Sequence, residues 1–441
     1  MKLINKISSL KNLESAMKKV KSNKGAPGID KKTVYELNIY FSKNFKEIQK
    51  SINEMSYKPR PVKRVYIPKD NGKKRPLGTP IVIDRVVQQA VAQQLISIYE
   101  PVFSNHSHGF RPDKSCHTAM KEVLNYLNDG YEWVIDLYIS KFFDTVNQDK
   151  LISILREQTN DKATLNLIRK FMRAGVLENG KICKTTEGTP QGSPLSPVLS
   201  NIYLDKLDKE LEIRGLNFVR YADDCNIFVR SEMAADRVMK SISSWLERKL
   251  FLKINASKIK VVRPMKSEFL GFTFWKDKDQ WKCRPSKKSK RKLYDKVKEI
   301  LKRNKANAKP LSQIFRKLNQ VIRGWINYYS IGNMNKFIKE FGQWLRHKVR
   351  VVILKQWKLP RTIYKNLTIL KDILKSNISD EEIFKVANTR KGWYAQATGN
   401  VTNYLLSPKI LSIPNKEREK SKKKYLINMK KIKNIKKAYK Y

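Results

Sequence analysis

Arg220-Tyr221-Ala222-Asp223-Asp224-Cys225-Asn226-Ile227-Phe228-Val229 is the stretch whose reading decides the fold. Apolar Phe218 and Val219 lead in, two acids sit in the middle, and Ile227, Phe228 and Val229 lead out. The pattern predicts two short strands joined by a tight turn, with Asp223 and Asp224 at the tip. Adjacent carboxylates repel each other unless a cation lies between them. Mg²⁺ takes hard oxygen ligands, usually one or two carboxylates plus substrate phosphates. One reading is therefore a metal-dependent phosphoryl-transfer site; the other is a solvated acidic turn. The rest of the chain has to separate them.

The composition narrows the class. The chain has 441 residues, enough for several domains, and its 41% hydrophobic content fits a folded protein. A formal charge of +52 calls for a polyanionic partner, with nucleic acid the first choice. No apolar run approaches the roughly 18 residues a membrane helix needs. The start, Met1-Lys2-Leu3-Ile4-Asn5-Lys6, lacks a signal-peptide core. Cys116, Cys183, Cys225 and Cys283 lie far apart, which suggests neither a zinc site nor a disulfide framework. The expectation is a reducing bacterial cytoplasm and no membrane partner.

Taken in order, residues 1–56 carry the three-and-four spacing of helices around a loop, Asn23 to Asp30, that suits either a nucleic-acid backbone or an interhelical turn. Val62–Pro68 and Lys73–Gly78 predict a hairpin with a basic end. His106-Ser107-His108-Gly109-Phe110-Arg111-Pro112 reads as a loop with Arg111 a candidate for template or phosphate contact and both histidines loop residues. Trp133–Ile139 reads as a buried strand on which Asp136 and Tyr138 share a face, about 6.5 Å apart. Gly188-Thr189-Pro190-Gln191-Gly192-Ser193-Pro194 opens a long helix. From Lys287 the chain is helical and basic, with Trp325, Tyr328 and Tyr329 beside cations, and Trp393-Tyr394 reads as strand or loop. Beyond Lys416 it is lysine-rich.

These segments, in this order, resemble group II intron-encoded reverse transcriptases, the bacterial intron maturases. The resemblance is carried by Arg75-Pro76-Leu77-Gly78, His108-Gly109-Phe110-Arg111-Pro112, the Gly188–Pro197 run, Tyr221-Ala222-Asp223-Asp224, Phe269-Leu270-Gly271-Phe272 and Arg323-Gly324-Trp325-Ile326-Asn327-Tyr328-Tyr329. It implies an α+β fold: an N-terminal helical extension (1–56), right-hand fingers and palm (57–280), an α-helical thumb that binds intron RNA (281–390) and a basic DNA-binding tail (391–441). No paired Cys and His match the family's optional nuclease domain. The implied partners are intron RNA, a DNA target or primer, and a deoxynucleoside triphosphate; the implied cofactor is Mg²⁺ in a two-metal nucleotidyl-transfer site.

The resemblance also assigns residues. Asp223 and Asp224 match two of the three metal-binding carboxylates, and Tyr138 stands at the third. Tyrosine is a neutral phenol at pH 7 and a poor hard ligand, so the metal site is expected to be defective. Asp136 is the neighbouring carboxylate that would have to substitute. Gln148 stands where the family usually has His. Lys69 and Arg75 match triphosphate contacts, Phe143 the gate against a 2′-hydroxyl, Gln191 a template contact and Lys258 a lysine near the primer. Arg111, Lys287, Lys288, Arg291, Arg323, Arg346, Lys348 and Arg350 are the expected RNA contacts. Two functions fit: a reverse transcriptase and maturase serving splicing and mobility, or a non-enzymatic splicing maturase on a degenerate polymerase scaffold.

Overall fold

A computed structural model of the chain describes residues 2–68, 72, 74–254, 259–408 and 410–412. Lys69, Lys258 and the lysine-rich segment from 413 onward lie outside the described residues. The chain divides once, into residues 1–269 and 270–441.

The first unit is built on a four-stranded antiparallel sheet. Strand Trp133–Tyr138 lies between Asp224–Val229 and Lys260–Val262, and Asn217–Tyr221 flanks the outer side of Asp224–Val229. Period-two alternation sorts its faces. Ile135 is the Cα partner of Ile227 and Leu137 of Cys225. All four belong to the apolar core, with Leu199, Ile202, Tyr203 and Leu207 of helix Ser196–Ile213 and Ile242 and Leu246 of helix Glu232–Leu250. The opposite face carries Asp136 against Asn226 and Tyr138 against Asp224. One side is thus sealed by helices, and the other presents polar groups.

Helices Leu3–Ile7, Leu10–Ser22 and Leu37–Asn53 make up the N-terminal helical stretch and pack into the first unit. Ile4, Leu13, Leu37 and Ile52 share a single core with Val87 and Leu95 of helix Val82–Tyr99 and with residues as distant as Leu252. The Asn23–Asp30 loop is resolved in favour of an internal turn. A Cβ on Gly28 would lie 2.6 Å from Ile81 Cα, and one on Gly25 2.5 Å from the Arg85 guanidinium. The glycines therefore admit close packing by the chain itself.

A second sheet pairs Val62–Pro68 antiparallel with Lys74–Thr79 and, through Val62 and Lys63, parallel with Val176–Glu178, which pairs with Lys181–Cys183. It is tied to the Gly188–Pro194 loop, because Gly78 N–H donates to the Gln191 carbonyl at 2.7 Å.

The second unit opens with hairpin Phe272–Asp277/Gln280–Pro285 and continues as helices. Helices Lys287–Ile300, Leu311–Tyr328 and Asn335–Trp357 enclose aromatic contacts. Tyr329 packs on Phe272 with ring centres 4.8 Å apart and donates to Ser289 Oγ at 2.8 Å, while Trp325 donates to the Ser289 carbonyl. Helices Pro360–Leu374, Asp380–Ala387 and Asn400–Leu405 close a smaller core around Leu354, Ile363, Leu367, Ile383 and Leu405. Trp393–Gln396 is helical, not strand or loop: extended Gly392 starts the turn and its carbonyl accepts from Gln396 N–H. Among the described residues no helix is long and apolar enough to cross a membrane.

Candidate active site

The acidic turn is a two-residue hairpin loop. Tyr221 and Asp224 are Cα partners, with Ala222 and Asp223 between them. Asp224 thus opens the second strand, whereas the sequence reading set both acids at the tip. Ala222 takes a left-handed φ of +58°, a conformation that costs a residue with a Cβ free energy and persists only where its surroundings dictate it. Asp223 is half-buried and Asp224 exposed.

Those surroundings are specific. Arg220, just before the turn, is fully buried and grips Asp208 of helix Ser196–Ile213 with two nitrogens, Nε to Oδ1 at 2.6 Å and Nη2 to Oδ2. Its Nη1 donates to the Ala222 carbonyl at 2.9 Å and to Asn201 Oδ1 at 3.2 Å. Asn201 in turn donates to the Gly109 carbonyl at 2.7 Å. Gly109 lies against the turn so closely that a Cβ there would be 2.3 Å from Ala222 N. The loop also bonds along the strand, His108 N–H to the Arg220 carbonyl and Arg220 N–H to the His106 carbonyl. The sequence reading missed Arg220, Asp208 and Asn201. Their signal was legible: Asn201, Asp205 and Asp208 fall on one side of a helix whose same side carries core leucines.

His106 and His108 are loop residues, as expected, and they clamp that loop to a helix. Glu122 of helix Cys116–Asn128 accepts from His108 Nε2 at 2.6 Å and bonds His106 Nδ1 through its other oxygen. Burial pushes the Glu122 carboxyl up, but the two histidine hydrogen bonds outweigh it and hold it down at about 2. The same carboxylate raises His106. A raised histidine contributes stability that is complete below its unfolded value, near 6.5, and fades as pH climbs through the folded one. Glu122 contributes above about 4.5 and loses its effect as pH falls toward 2. Melting temperature is therefore expected to fall between pH 6 and 8, with the fall flattened in His106→Gln. An unchanged slope in that variant would exclude His106 as its source.

Tyr138 is the Cα partner of Asp224 on the neighbouring strand. Asp136 lies two pairs further on, opposite Asn226 and Lys260. Its Oδ1 accepts from Ser267 Oγ at 2.9 Å. Burial raises its carboxyl to about 6, against the opposing Ser267 hydrogen bond and Lys260 charge. Among the described residues no three His, Cys, Asp or Glu side chains are placed to hold one metal ion. Two carboxylates, a phenol and a carboxylate tethered further along the strand do not fit a three-carboxylate, two-metal donor set.

Other expected site residues do converge. Arg75 Nε donates to Gln191 Oε1 at 2.9 Å across 116 residues. The Phe143 carbonyl accepts from Thr189 N–H at 2.7 Å, and a Cβ on Gly188 would sit 2.7 Å from that same oxygen. Buried Gln148 donates to the Gly188 carbonyl at 3.1 Å. The Gly188–Gly192 loop thus gathers Arg75, Phe143, Gln148 and Gln191. Lys69 and Lys258 fall outside the described residues.

Two expected nucleic-acid contacts are corrected. Arg111 spends all five donors on the protein: on both the carboxylate and the carbonyl of Glu100, and on the carbonyls of Ser104 and Ser107. Its side chain is 4% exposed. Arg350 is buried, donates to the Leu406 and Asn403 carbonyls, and is lowered to about 10 by burial and the charge of Arg346. Lys287, Lys288 and Arg291 are exposed on their helix, while Arg323 and Arg346 are half-buried. Lys348 lies over the Tyr394 ring, 4.8 Å from its centre.

Comparison with known proteins agrees with this architecture. Residues 67–274 match the family model for reverse transcriptase (RNA-dependent DNA polymerase), and residues 290–368 that for the group II intron maturase-specific domain. The group II intron-encoded protein LtrA of Lactococcus lactis is 46% identical over 171 residues, covering 38% of this chain and 28% of that protein. A putative COX1/OXI3 intron 2 protein of Saccharomyces cerevisiae is 36% identical over 265 residues, covering 59% of this chain and 30% of its own length. Protein YkfC of Escherichia coli is 32% identical over 280 residues, covering 54% of this chain and 74% of that protein. The chain spans less than a third of the lactococcal and yeast proteins. With the polymerase hairpin and the maturase segment in one order, the chain belongs to the group II intron-encoded reverse transcriptase and maturase family.

Proposed function

We propose that this chain binds group II intron RNA to assist splicing, and that its polymerase centre is crippled at Tyr138. The observation that carries the second half is the register in which Tyr138 faces Asp224. The charge of +52 and the maturase-specific segment at 290–368 support the first. The exposed Lys287, Lys288 and Arg291 form a basic helix face suited to a phosphate backbone. With a competent centre, the same fold would copy RNA into DNA from deoxynucleoside triphosphates, using Mg²⁺, for intron mobility. Arg75 and Gln191 would then meet the triphosphate and template, and Phe143 the sugar. The basic tail would meet the DNA target, and the protein would work among the nucleic acids of the bacterial cytoplasm.

Two measurements test the proposal. The logarithm of the affinity for a structured intron RNA is expected to fall linearly with the logarithm of salt, each neutralised phosphate adding about 0.7–0.9 to the slope. Salt-independent or absent binding would refute the maturase half. Primer extension on an RNA template with Mg²⁺ or Mn²⁺ is expected to yield no appreciable cDNA. Efficient synthesis by the unaltered protein would refute the lesion.

A further inference from the structure

We infer that Phe110 is a stacking surface for the terminal base of a nucleic-acid strand that ends at the Asp223–Asp224 turn; this rests on reading that turn as a polymerase centre. Phe110 follows Gly109, whose backbone lies in contact with Tyr221 and Ala222. Its own Cα is therefore about 3.8 Å further along the chain from that contact. The residue is 51% exposed, and its backbone is held at a left-handed φ of +58°. A bulky side chain in that region is a genuine outlier, and glycine would adopt the conformation without cost.

The neighbours leave Phe110 no freedom to relax. On one side the Gly109 carbonyl is held by Asn201. On the other, Arg111 is bolted down by five hydrogen bonds. The loop thus fixes the backbone of Phe110, in a conformation that disfavours it, one residue from the glycine that packs on Ala222. A scattered surface phenylalanine needs no explanation, but one held in a strained backbone conformation in the loop that packs on an acidic turn does. Every base offers a π-face, so a rigid ring binds any strand end without reading its sequence. In a chain of charge +52 a nucleic acid is the occupant the electrostatics favour.

The test uses the full-length protein and a DNA primer carrying 2-aminopurine at its 3′ end, annealed to an RNA template, in buffer without divalent metal. Binding by the unaltered protein is expected to change the 2-aminopurine emission. F110A should bind about tenfold more weakly and lose that change, the effect of deleting one stacking partner. F110W should recover both. F110G should melt at a higher temperature, because the backbone strain is relieved, yet bind as poorly as F110A. Unaltered affinity and emission in F110A, or a lower melting temperature in F110G, would overturn the assignment while leaving the polymerase reading intact. Failure of the unaltered protein to bind the hybrid would overturn both.

Discussion

Tyr138→Asp is expected to raise primer extension by about a thousandfold or more over the unaltered protein. A lost shared metal ligand is worth at least several kcal/mol of transition-state stabilisation, and each ~1.4 kcal/mol is tenfold in rate. The geometry favours recovery. Residue 138 faces Asp224 across the strand pair, so an aspartate there would join the acids of the turn on the polar face. Asp136 does not compensate, because it is tied to Ser267 further along the strand. Tyr138→Phe serves as the control and should gain nothing, since it removes the hydroxyl without adding a carboxylate. Primer extension at saturating triphosphate and Mg²⁺ reads the outcome. Should Tyr138→Asp fold and bind RNA yet make no cDNA, a second lesion must exist. Gln148 is the first place to look, since its buried Oε1 has no hydrogen-bond partner among the described residues.

Asp208→Ala should be the most damaging single change in the first unit, lowering its stability by about 3–5 kcal/mol. Arg220 and Asp208 are both fully buried, so removing the carboxylate strands a guanidinium in the core. Urea unfolding with tryptophan emission would measure the loss. The pair's attraction does not cause all of this, since much of the cost is that of an uncompensated buried charge. Asp208→Leu combined with Arg220→Met should therefore regain most of the stability. It should not regain the turn, because Arg220 also holds the Ala222 carbonyl and Asn201. A double variant as unstable as Asp208→Ala would contradict this account.

Much of the fold was legible because patterning and turn chemistry agreed. The alternation around Asp223 and Asp224 gave the hairpin, and the spacing of Leu199, Ile202 and Leu207 gave the helix behind it. The arginines were not legible. Arg111 and Arg350 look like phosphate ligands in a basic chain, and only the fold brings Glu100, Ser104 and Ser107 to one of them and the Leu406 carbonyl to the other. The same limit hid the bond from Asn201 to Gly109, 92 residues away, that completes the Arg220–Asp208–Asn201 cluster. The Trp393-Tyr394 helix was missed because one short turn leaves no periodicity to read.

The single core drawn from Ile4 to Leu252 has a consequence for how this chain is made. Helices near the N-terminus leave the ribosome long before the strands and helices that cover them. At about 5–20 residues per second, helix Leu10–Ser22 waits roughly 4–15 s for helix Val82–Tyr99, on which it packs, and the core they share is complete roughly 10–50 s after the first helix, once Leu246, Leu250 and Leu252 are made. The first unit therefore pairs its early helices with helix Val82–Tyr99 first and completes its core only late in translation, leaving part of their apolar surface uncovered in the interval.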